Sequence, residues 1–425
     1  MFYFFKLNTI IAIGGTDLIP ALQSFIPEKI STTAKYFFLI SILNGVGNGI
    51  FGVIIQLYFV TLGFQSSDMG TLFMINSLAM MFLCIPSGIL ADRYGKGKIF
   101  FFGYFLLTIS FGILLLFESF EYMIIAWAIL GISNSTGTVI GPLFSSLFEN
   151  DDMDRAFGLR GFLNILSGAA GSLLGFIPPM LVNEYGYTLK YSYWLLLASA
   201  VCIMMCQIPF YIKIMNAIDD KPKKTGFNWN LKSKSVVGKI SLLYSIQNIA
   251  LGGFMGLFPY YVNTKFGVQS DGLGALYSAS KFIQAAGNAV APRIAQRYGT
   301  LKTISGALLS AVPFWLLFPF APTYTWVSII YSCRLSVASL CNPLMPSLMF
   351  RMLYEDEKAT ANSVITTVSM LSNAAGPKLG GYLMENVNLD LPPIIGGGLY
   401  IAYGSLYYLF FKDEPLKELE AEVKV

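Results

Sequence analysis

Three basic residues interrupt stretches that are otherwise apolar enough to cross a membrane. Lys281 and Arg334 lie near the middle of two such stretches, and Lys378 lies in a third. A cation at mid-bilayer costs roughly 2.5–3.5 kcal/mol, so it is expected to face a cavity or a partner. No aspartate or glutamate lies within the core of any apolar stretch. The chemistry that these cations predict is binding of an anion, such as an organic acid.

Polar side chains accompany the cations at helical spacing. Gln284 follows Lys281 by three residues, and Asn44 and Asn48 form a stripe one turn apart in an earlier stretch. The predicted substrate-binding residues are Lys281, Arg334, Asn44, Asn48, Gln247, Asn248, Gln284 and Asn342. Asn134 and Asn164 are predicted to complete the lining. The alternative is that carbonyl groups and asparagines satisfy the two cations, which would then only hold helices together.

The elements that must position these residues are membrane-spanning helices. Of the 425 residues, 55% are hydrophobic and only 12% are charged, whereas a soluble protein has about 25% charged residues. The mean hydropathy is +0.61. Apolar runs of about 20 residues recur, and each can cross a bilayer core about 30 Å thick as a helix. The composition therefore predicts a polytopic all-α membrane protein.

Several functions are excluded by what the sequence lacks. It has no histidine, and its five cysteines fall inside predicted spans without metal-site spacing. We find no nucleophile–base pair and no nucleotide-binding domain. We therefore predict that the protein is not an enzyme and has no cofactor, no metal and no nucleic-acid partner. A small-molecule substrate and membrane lipid are the predicted partners, and the predicted state is a monomer.

Twelve apolar spans are predicted, in two sets of six. They run near 37–61, 70–91, 99–117, 122–147, 157–182, 192–213, 238–262, 272–294, 303–320, 325–349, 359–384 and 393–411. The predicted fold is two six-helix, pseudo-symmetric bundles, 36–215 and 237–412, joined by a cytoplasmic linker at 216–236. Residues 1–35 are predicted to form an N-terminal interfacial segment and 413–425 a cytoplasmic tail.

The two halves repeat one another in sequence. Asn44 maps to Asn248 and Arg93 maps to Arg297, both at an offset of 204. The same offset relates Gly49 to Gly253, Gly52 to Gly256, Gly63 to Gly267, Gln65 to Gln269, Ser66 to Ser270, Gly70 to Gly274, Tyr94 to Tyr298, Gly95 to Gly299 and Lys98 to Lys302. A constant register over several helices indicates a duplication. Because each half has six spans, the repeats are predicted to be parallel, with their axis along the membrane normal.

Basic residues predict the orientation. The loops that follow odd-numbered spans hold only Lys190 and Lys265, whereas the other side holds most of the arginines and lysines. Basic loops stay in the cytoplasm. Both termini and the linker are therefore predicted to be cytoplasmic, in a multi-pass protein of the plasma membrane.

The turn between spans 2 and 3 carries the most specific motif. It matches the pattern G-x-L-A-D-R-x-G-R-K at Gly88, Leu90, Ala91, Asp92, Arg93, Gly95 and Lys96. In this turn and in its repeat the chain resembles the major facilitator superfamily, over roughly residues 37–411. The resemblance implies two bundles around a cavity that opens alternately to each side. Gly97 departs from the pattern, and the second copy has Gln296 in place of the aspartate.

The resemblance also implies a gate. In the family, the motif aspartate locks the cytoplasmic side in the outward-facing state by meeting the positive end of a helix in the other half. By match, Asp92 would meet the start of span 11, near Lys358–Ala361. The predicted gating residues are Gly88, Asp92, Arg93, Gly95, Lys96, Arg297 and Gly299. The alternative is that the basic residues only anchor the loop in the cytoplasm.

The predicted function is secondary active or facilitative transport of a small solute, with an organic anion as the predicted class. One alternative is proton-linked efflux of drugs or other apolar compounds. The basic residue that the family usually carries in span 4 is missing from Gly131–Ser135, and its absence disfavours proton-linked drug efflux. Another alternative is a non-transporting membrane receptor. A receptor is disfavoured because the linker, at about 20 residues, offers little soluble structure for signalling.

Overall fold

The computed structural model describes residues 27, 30–145, 147–148, 150–217, 232–354 and 357–412. Most of the predicted interfacial segment, most of the linker and the predicted tail lie outside the described residues. The described residues form helices and turns and contain no strand.

The helices follow one another as twelve stretches, α1 to α12, which correspond in order to the twelve predicted spans. The first six are α1 Thr32–Thr61, α2 Ser66–Tyr94, α3 Lys96–Leu116, α4 Phe120–Ser135 with Ile140–Ser145, α5 Asn150–Leu173 with Ile177–Tyr185, and α6 Leu189–Met205 with Ile208–Ala217. The second six are α7 Lys234–Phe254 with Phe258–Phe266, α8 Ser270–Tyr298, α9 Thr300–Ser310 with Val312–Leu317, α10 Tyr324–Ser339 with Cys341–Arg351, α11 Lys358–Asn386, and α12 Leu391–Phe411. The predicted all-α fold of two six-helix bundles is confirmed.

Eight of these stretches are both long enough and apolar enough to span a membrane. The other four are α4, α8, α10 and α11. Three of them carry the intramembrane cations Lys281, Arg334 and Lys378, and α4 is interrupted by the 3₁₀ turn Thr136–Val139. A charged residue within a helix lowers its mean hydropathy, and a membrane helix is expected to carry one only where it faces a cavity or a partner.

Glycines end the helices at equivalent points of the two halves. Gly63 and Gly267 have φ values of 85° and 66°, and Gly95 and Gly299 have φ values of 101° and 87°. A side chain is strained at such φ values, so glycine permits the sharp turns between α1 and α2, α2 and α3, and their repeats. The sequence repeat is therefore also a repeat of backbone conformation.

Small residues let the helices of each bundle approach closely. A Cβ on Gly49 of α1 would overlap the carbonyl oxygen of Gly168 in α5, and a Cβ on Gly380 of α11 would overlap the backbone of Gly253 in α7. The glycine-rich run Gly45–Gly49 has the composition of a nucleotide-binding loop, but it lies inside α1 and packs against α5 and α6. Close backbone approach through small residues is the usual way in which membrane helices associate.

Candidate functional site

The two bundles meet through two crossings that are related by the repeat. We call the end of the molecule that holds Gly95 and Gly299 the basic end, and the end that holds Gly63 and Gly267 the opposite end. Near the opposite end, Ser66 Oγ of α2 donates a hydrogen bond to Gly381 O of α11, at 2.9 Å. Its repeat mate, Ser270 Oγ of α8, donates to Gly175 O of α5, at 2.7 Å.

Each crossing also contains a backbone contact with no room for a side chain. A Cβ on Gly70 of α2 would overlap the carbonyl oxygen of Pro377 in α11, and one on Gly274 of α8 would overlap that of Ser172 in α5. The α2–α11 crossing carries polar contacts as well. Lys378 Nζ donates to Thr71 Oγ1 at 2.7 Å, and Ser67 N donates to Glu385 Oε2 at 3.1 Å.

Gln56 of α1 closes the same end at the centre. Its Nε2 donates to Gly256 O at 2.7 Å, and its Oε1 accepts from Tyr260 N at 3.1 Å. The 3₁₀ turn Met255–Leu257 interrupts α7 here, which leaves backbone groups without their usual helical partners. Gln56 satisfies one group in the turn and one in the first turn of the helix that follows it, so a side chain of α1 completes the hydrogen bonding at the interruption in α7.

A cavity of about 710 Å³ lies below this closure. It extends toward the basic end as far as Phe100, one turn into α3, and Tyr211 of α6. The residues that line it are Asn44, Asn48, Phe51, Gly52, Ile55, Gln56, Phe73, Asn76, Ser77, Phe100, Gly103, Tyr104, Leu107, Phe111, Trp127, Leu130, Ser133, Asn134, Thr136, Gly137, Ile140, Met204, Tyr211, Gly252, Gly256, Asn373 and Pro377. The N-terminal bundle supplies most of this surface, and α7 and α11 supply the rest.

The lining combines aromatic rings with amide groups and, among the described residues, holds no charged side chain. Tyr104 and Tyr211 stack with ring centroids 3.9 Å apart, and Phe51 stacks on Phe111 at 4.4 Å. Such paired rings present flat apolar walls. The cavity can therefore hold an apolar body while its amides select for hydrogen-bonding groups.

Three amides of the lining are available to a ligand. Asn48 of α1, Asn134 of α4 and Asn373 of α11 are exposed and, among the described residues, have no hydrogen-bond partner. By contrast, Asn76 Nδ2 donates to Trp127 O at 3.3 Å. The three available amides come from both bundles, so a ligand that bound them would touch both halves.

Of the eight predicted substrate-binding residues, Asn44 and Asn48 line this cavity. The additional predicted residue Asn134 lines it too, whereas Asn164 Nδ2 donates to Ser41 O within the N-terminal bundle, at 3.2 Å. The other six predicted residues, Lys281, Arg334, Gln247, Asn248, Gln284 and Asn342, are not among the lining residues.

Three of these six are used inside the C-terminal bundle. Gln247 Oε1 accepts a hydrogen bond from Tyr403 Oη at 3.0 Å, and Asn248 Nδ2 donates to Ser369 O at 3.1 Å. Asn342 Nδ2 donates to Asn288 Oδ1 at 3.2 Å. Their amides therefore join α7 to α12, α7 to α11 and α10 to α8.

The two intramembrane cations occupy different surroundings. Lys281 lies at the α5–α8 crossing, with its side chain against Gly168, and has no hydrogen-bond or ion-pair partner among the described residues. Arg334 is only 5% exposed, and its guanidinium lies over the ring of Trp315, with Cζ 5.2 Å from the ring centroid. Its Nε and Nη1 atoms have no hydrogen-bond partner among the described residues. The structure therefore does not bring the two cations together at the cavity.

Sequence reasoning missed several lining residues. Asn76 and Asn373 are amides within apolar spans, so the criterion that selected Asn44 could have found them. The aromatic residues Trp127, Tyr104 and Tyr211 carry no such signal, because lipid-facing aromatic residues have the same pattern in sequence.

The predicted gating turn contains a glycine with positive φ and an arginine that lies over the ring of the neighbouring tyrosine. Arg93 Cζ lies 5.5 Å from the ring centroid of Tyr94, and in the repeat Arg297 Cζ lies 5.4 Å from that of Tyr298. Gly97, which departs from the family pattern, packs where a Cβ would lie 3.2 Å from Met215 Cα of α6. The side chain of Asp92 lies outside the described residues, and so does its predicted contact with the start of α11.

Comparisons with a family model and with related sequences agree on one family of proteins. The family model described as Major Facilitator Superfamily matches residues 37–233 and 240–424. The Staphylococcus aureus quinolone resistance protein NorA is 21% identical over 400 residues, covering 90% of this chain and 96% of that protein. The Escherichia coli class C tetracycline resistance protein is 21% identical over 327 residues, covering 73% and 78%.

Solved structures share the fold. A bacterial homologue of the human lysosomal transporter Spinster, in an inward-facing and occupied conformation, superposes with a TM-score of 0.71 at 14% identity, covering 91% of this chain and 97% of that one. A mutant of the nucleoside transporter NupG superposes with a TM-score of 0.70 at 14% identity, covering 89% and 100%.

Proposed function

Because the chain belongs to the Major Facilitator Superfamily, a family of membrane transporters, we propose that it carries an uncharged, amphipathic small molecule through the central cavity by alternating access. The observation that carries this proposal is the set of three available amides, Asn48, Asn134 and Asn373, in an aromatic-walled cavity without charge. Each amide offers both donors and an acceptor. A solute with several hydrogen-bonding groups on an apolar body fits this combination.

The neutral lining favours such a solute over the organic anion that Lys281 and Arg334 predict from the sequence. A carboxylate that entered this cavity would lose its hydration, and the described lining offers no cation to compensate for that loss. Among the relatives are proteins named for resistance to tetracycline and to quinolones. Their names support the proposal that this chain exports foreign compounds from the cell.

The contacts made by Gln56, Ser66 and Ser270 support a conformation that is closed at the opposite end, and we infer access from the basic end, toward which the cavity extends. If basic loops are cytoplasmic, as we predict, this is an inward-open state. The return to an outward-open state would separate the two crossings at Ser66 and Ser270 and close the basic end. We assign that second closure to the turn residues Gly88, Asp92, Arg93, Gly95, Lys96, Arg297 and Gly299.

One observation favours an anionic solute as a second candidate. The Lys281 ammonium lies at the α5–α8 crossing without a partner among the described residues. An anion that moved past this crossing could pair with it. The test measures the uptake of a panel of anions into proteoliposomes that contain the variants Lys281→Gln or Arg334→Gln. Unchanged uptake and affinity for every transported anion would exclude this candidate.

Thermal-shift screening of the purified protein tests the main proposal, because a ligand that binds the folded state stabilises it. The panel contains neutral, anionic and cationic members of matched size. We expect the largest stabilisation from neutral amphipathic compounds, and loss of most of it in Asn48→Leu, Asn134→Leu and Asn373→Leu. Asn386→Leu is the control, because Asn386 Nδ2 donates to Tyr382 O at an exposed helix end.

Two results would contradict the proposal. One is stabilisation by anions alone. The other is equal loss of ligand stabilisation in Asn386→Leu and in the three cavity variants. Transport of the compounds identified is then followed in proteoliposomes, with and without an imposed pH gradient, to establish coupling.

A further inference from the structure

A second cavity lies at the basic end of the C-terminal bundle, away from the central cavity. It has a volume of about 440 Å³ and lies between the start of α9 and the ends of α10 and α12. Lys302, Arg351 and Lys412 line it, and no acidic residue does so among the described residues. The aromatic rings of Tyr298 and Tyr408 complete it. Such a ring of cations and tyrosines at helix ends is typical of the membrane–water interface.

The start of α9 adds backbone donors to this pocket. α9 begins at Thr300 with no side-chain cap and no acidic residue in its first turn. The first N–H groups of a helix have no partner within the helix and carry partial positive charge, which suits a phosphate group. The pocket therefore combines three cationic side chains with a helix N-terminus.

An apolar groove continues from the pocket into the membrane. It has a volume of about 420 Å³, runs between α9 and α12, and shares Lys302 and Tyr408 with the pocket. Leu309 lines its deeper part, which lies about 10 Å further along α9 than Lys302 at 1.5 Å per residue. Gly306 leaves it open, since a Cβ there would meet nothing within 4 Å.

One polar group in the groove has no partner. Ser305 is 4% exposed, lines the groove, and its hydroxyl has no hydrogen-bond partner among the described residues. A buried hydroxyl without a partner costs free energy. Because its Oγ atom is itself buried, a glycerol or ester oxygen of a bound lipid would reach it only after the Ser305 side chain rotates toward the groove.

The N-terminal bundle lacks this arrangement, although its sequence repeats the same turn. At an offset of 204, Lys302 corresponds to Lys98, but Gly306 corresponds to Phe102 and Leu309 to Phe105. Phe102 and Phe105 are 51% and 53% exposed, so they occupy the surface where the other bundle has its groove. The groove is therefore a property of the C-terminal bundle and not a consequence of the repeat.

We propose that this pocket and groove bind one anionic phospholipid, with its phosphate at the start of α9 beside Lys302, Arg351 and Lys412 and an acyl chain between α9 and α12. The exposed ammonium of Lys302 and the N–H groups at the start of α9 select an anionic headgroup, and the groove selects a lipid over a free phosphate. The site does not depend on the identity of the transported solute. A lipid held here would bridge the turn at Gly299 to the ends of α10 and α12, and so brace the C-terminal bundle at its basic end.

Native mass spectrometry tests the site. The protein in detergent receives equal amounts of phosphatidylglycerol and phosphatidylcholine with identical acyl chains. We expect preferential retention of phosphatidylglycerol, a reduction of about fivefold in Lys302→Gln, since each basic residue near an anionic headgroup contributes on this order, and a similar loss in Gly306→Phe. Lys98→Gln is the matched control and is expected to retain the lipid as the wild type does.

Two results would overturn the proposal: equal retention of the two lipids by the wild type, or unchanged retention of phosphatidylglycerol in Lys302→Gln. Displacement of phosphatidylglycerol by millimolar inorganic phosphate would instead identify a free-phosphate site. Lys302 is exposed, so Lys302→Gln is expected to fold and decides the question even if Gly306→Phe does not.

Discussion

Gln56 and Tyr260 occupy the same position in the two halves of the chain, 204 residues apart, and bind each other through a hydrogen bond from Tyr260 N to Gln56 Oε1 of 3.1 Å. Equivalent positions touch only where the axis that relates the two halves passes between them. The contact therefore places that axis at the end of the central cavity. It also shows where the halves differ, because α1 is continuous and supplies a side chain, whereas α7 is interrupted and supplies backbone groups.

The first prediction concerns this closure. Gln56→Leu leaves Gly256 O and Tyr260 N without their partner, which costs about 2 kcal/mol in the closed state and is expected to favour opening of the opposite end. The measurement is the distance between spin labels at Tyr187 and Val387, which are exposed on different bundles, after the five native cysteines are replaced. Longer distances are expected.

Gln247→Leu serves as the control for Gln56→Leu. It removes an amide that binds Tyr403 within one bundle, so the label distances should stay at their wild-type values. A distance distribution in Gln56→Leu that matches the wild type would show that this hydrogen bond does not hold the end closed.

A second prediction tests the backbone contacts of the crossings. Gly70→Ala and Gly274→Ala each place a methyl group against a carbonyl oxygen of the other bundle. A backbone carbonyl cannot move aside as a flexible side chain can, so both variants are expected to disfavour closure at the opposite end. We expect transport to fall at least tenfold, which is equivalent to about 1.4 kcal/mol. Gly112→Ala is the control, since a Cβ there would meet nothing within 4 Å. Wild-type transport by Gly70→Ala would refute the close contact.

The third prediction concerns the buried guanidinium of Arg334. Two of its nitrogens have no hydrogen-bond partner among the described residues. Removal of the charge from water therefore costs free energy that hydrogen bonds to these two atoms do not offset. Arg334→Met is therefore expected to have the same melting temperature as the wild type or a higher one, although contact with the Trp315 ring is lost. Arg293→Met, at an exposed position, controls for the loss of charge. A fall of several degrees confined to Arg334→Met would mean that water or an anion satisfies the guanidinium.

A fourth prediction is a pH dependence at Glu357, which precedes α11 at the basic end. Burial would raise the pKa of this carboxyl, but hydrogen bonds from the Ser233 side chain and from the backbone N–H groups of Ser233, Lys232 and Tyr354 outweigh it and lower the pKa below the ordinary value of 4.5. A lowered folded-state pKa gives stability that is present above the unfolded pKa and is lost as the pH falls through the folded pKa.

Glu357→Gln is accordingly expected to be less stable than the wild type at pH 7, by about 2 kcal/mol for hydrogen bonds to a charged group. The difference should narrow only as the pH falls below 4.5. Thermal unfolding across that range measures it. A stability difference between wild type and Glu357→Gln that increased as the pH fell would contradict the lowered pKa of Glu357.

The sequence determined the features that depend on local composition. Apolar runs gave the number and order of the helices, because a bilayer core demands about 20 apolar residues for each crossing. Glycines at fixed offsets marked the turns at Gly63, Gly95, Gly267 and Gly299, because only glycine tolerates their φ values. The repeat predicted the two bundles, and the motif at Asp92 predicted the family.

Tertiary structure decided which face of each helix meets the cavity. Lys281 and Arg334 lie near the middle of their spans, as the sequence indicates, yet one lies at the α5–α8 crossing and the other over Trp315 inside its own bundle. Depth along a helix follows from counting residues. Rotation about the helix axis follows from contacts with several neighbours at once, many of them more than 100 residues away in the chain, such as Gln56 with Tyr260. For that reason the sequence could predict a polar cavity, whereas only the fold could select its lining.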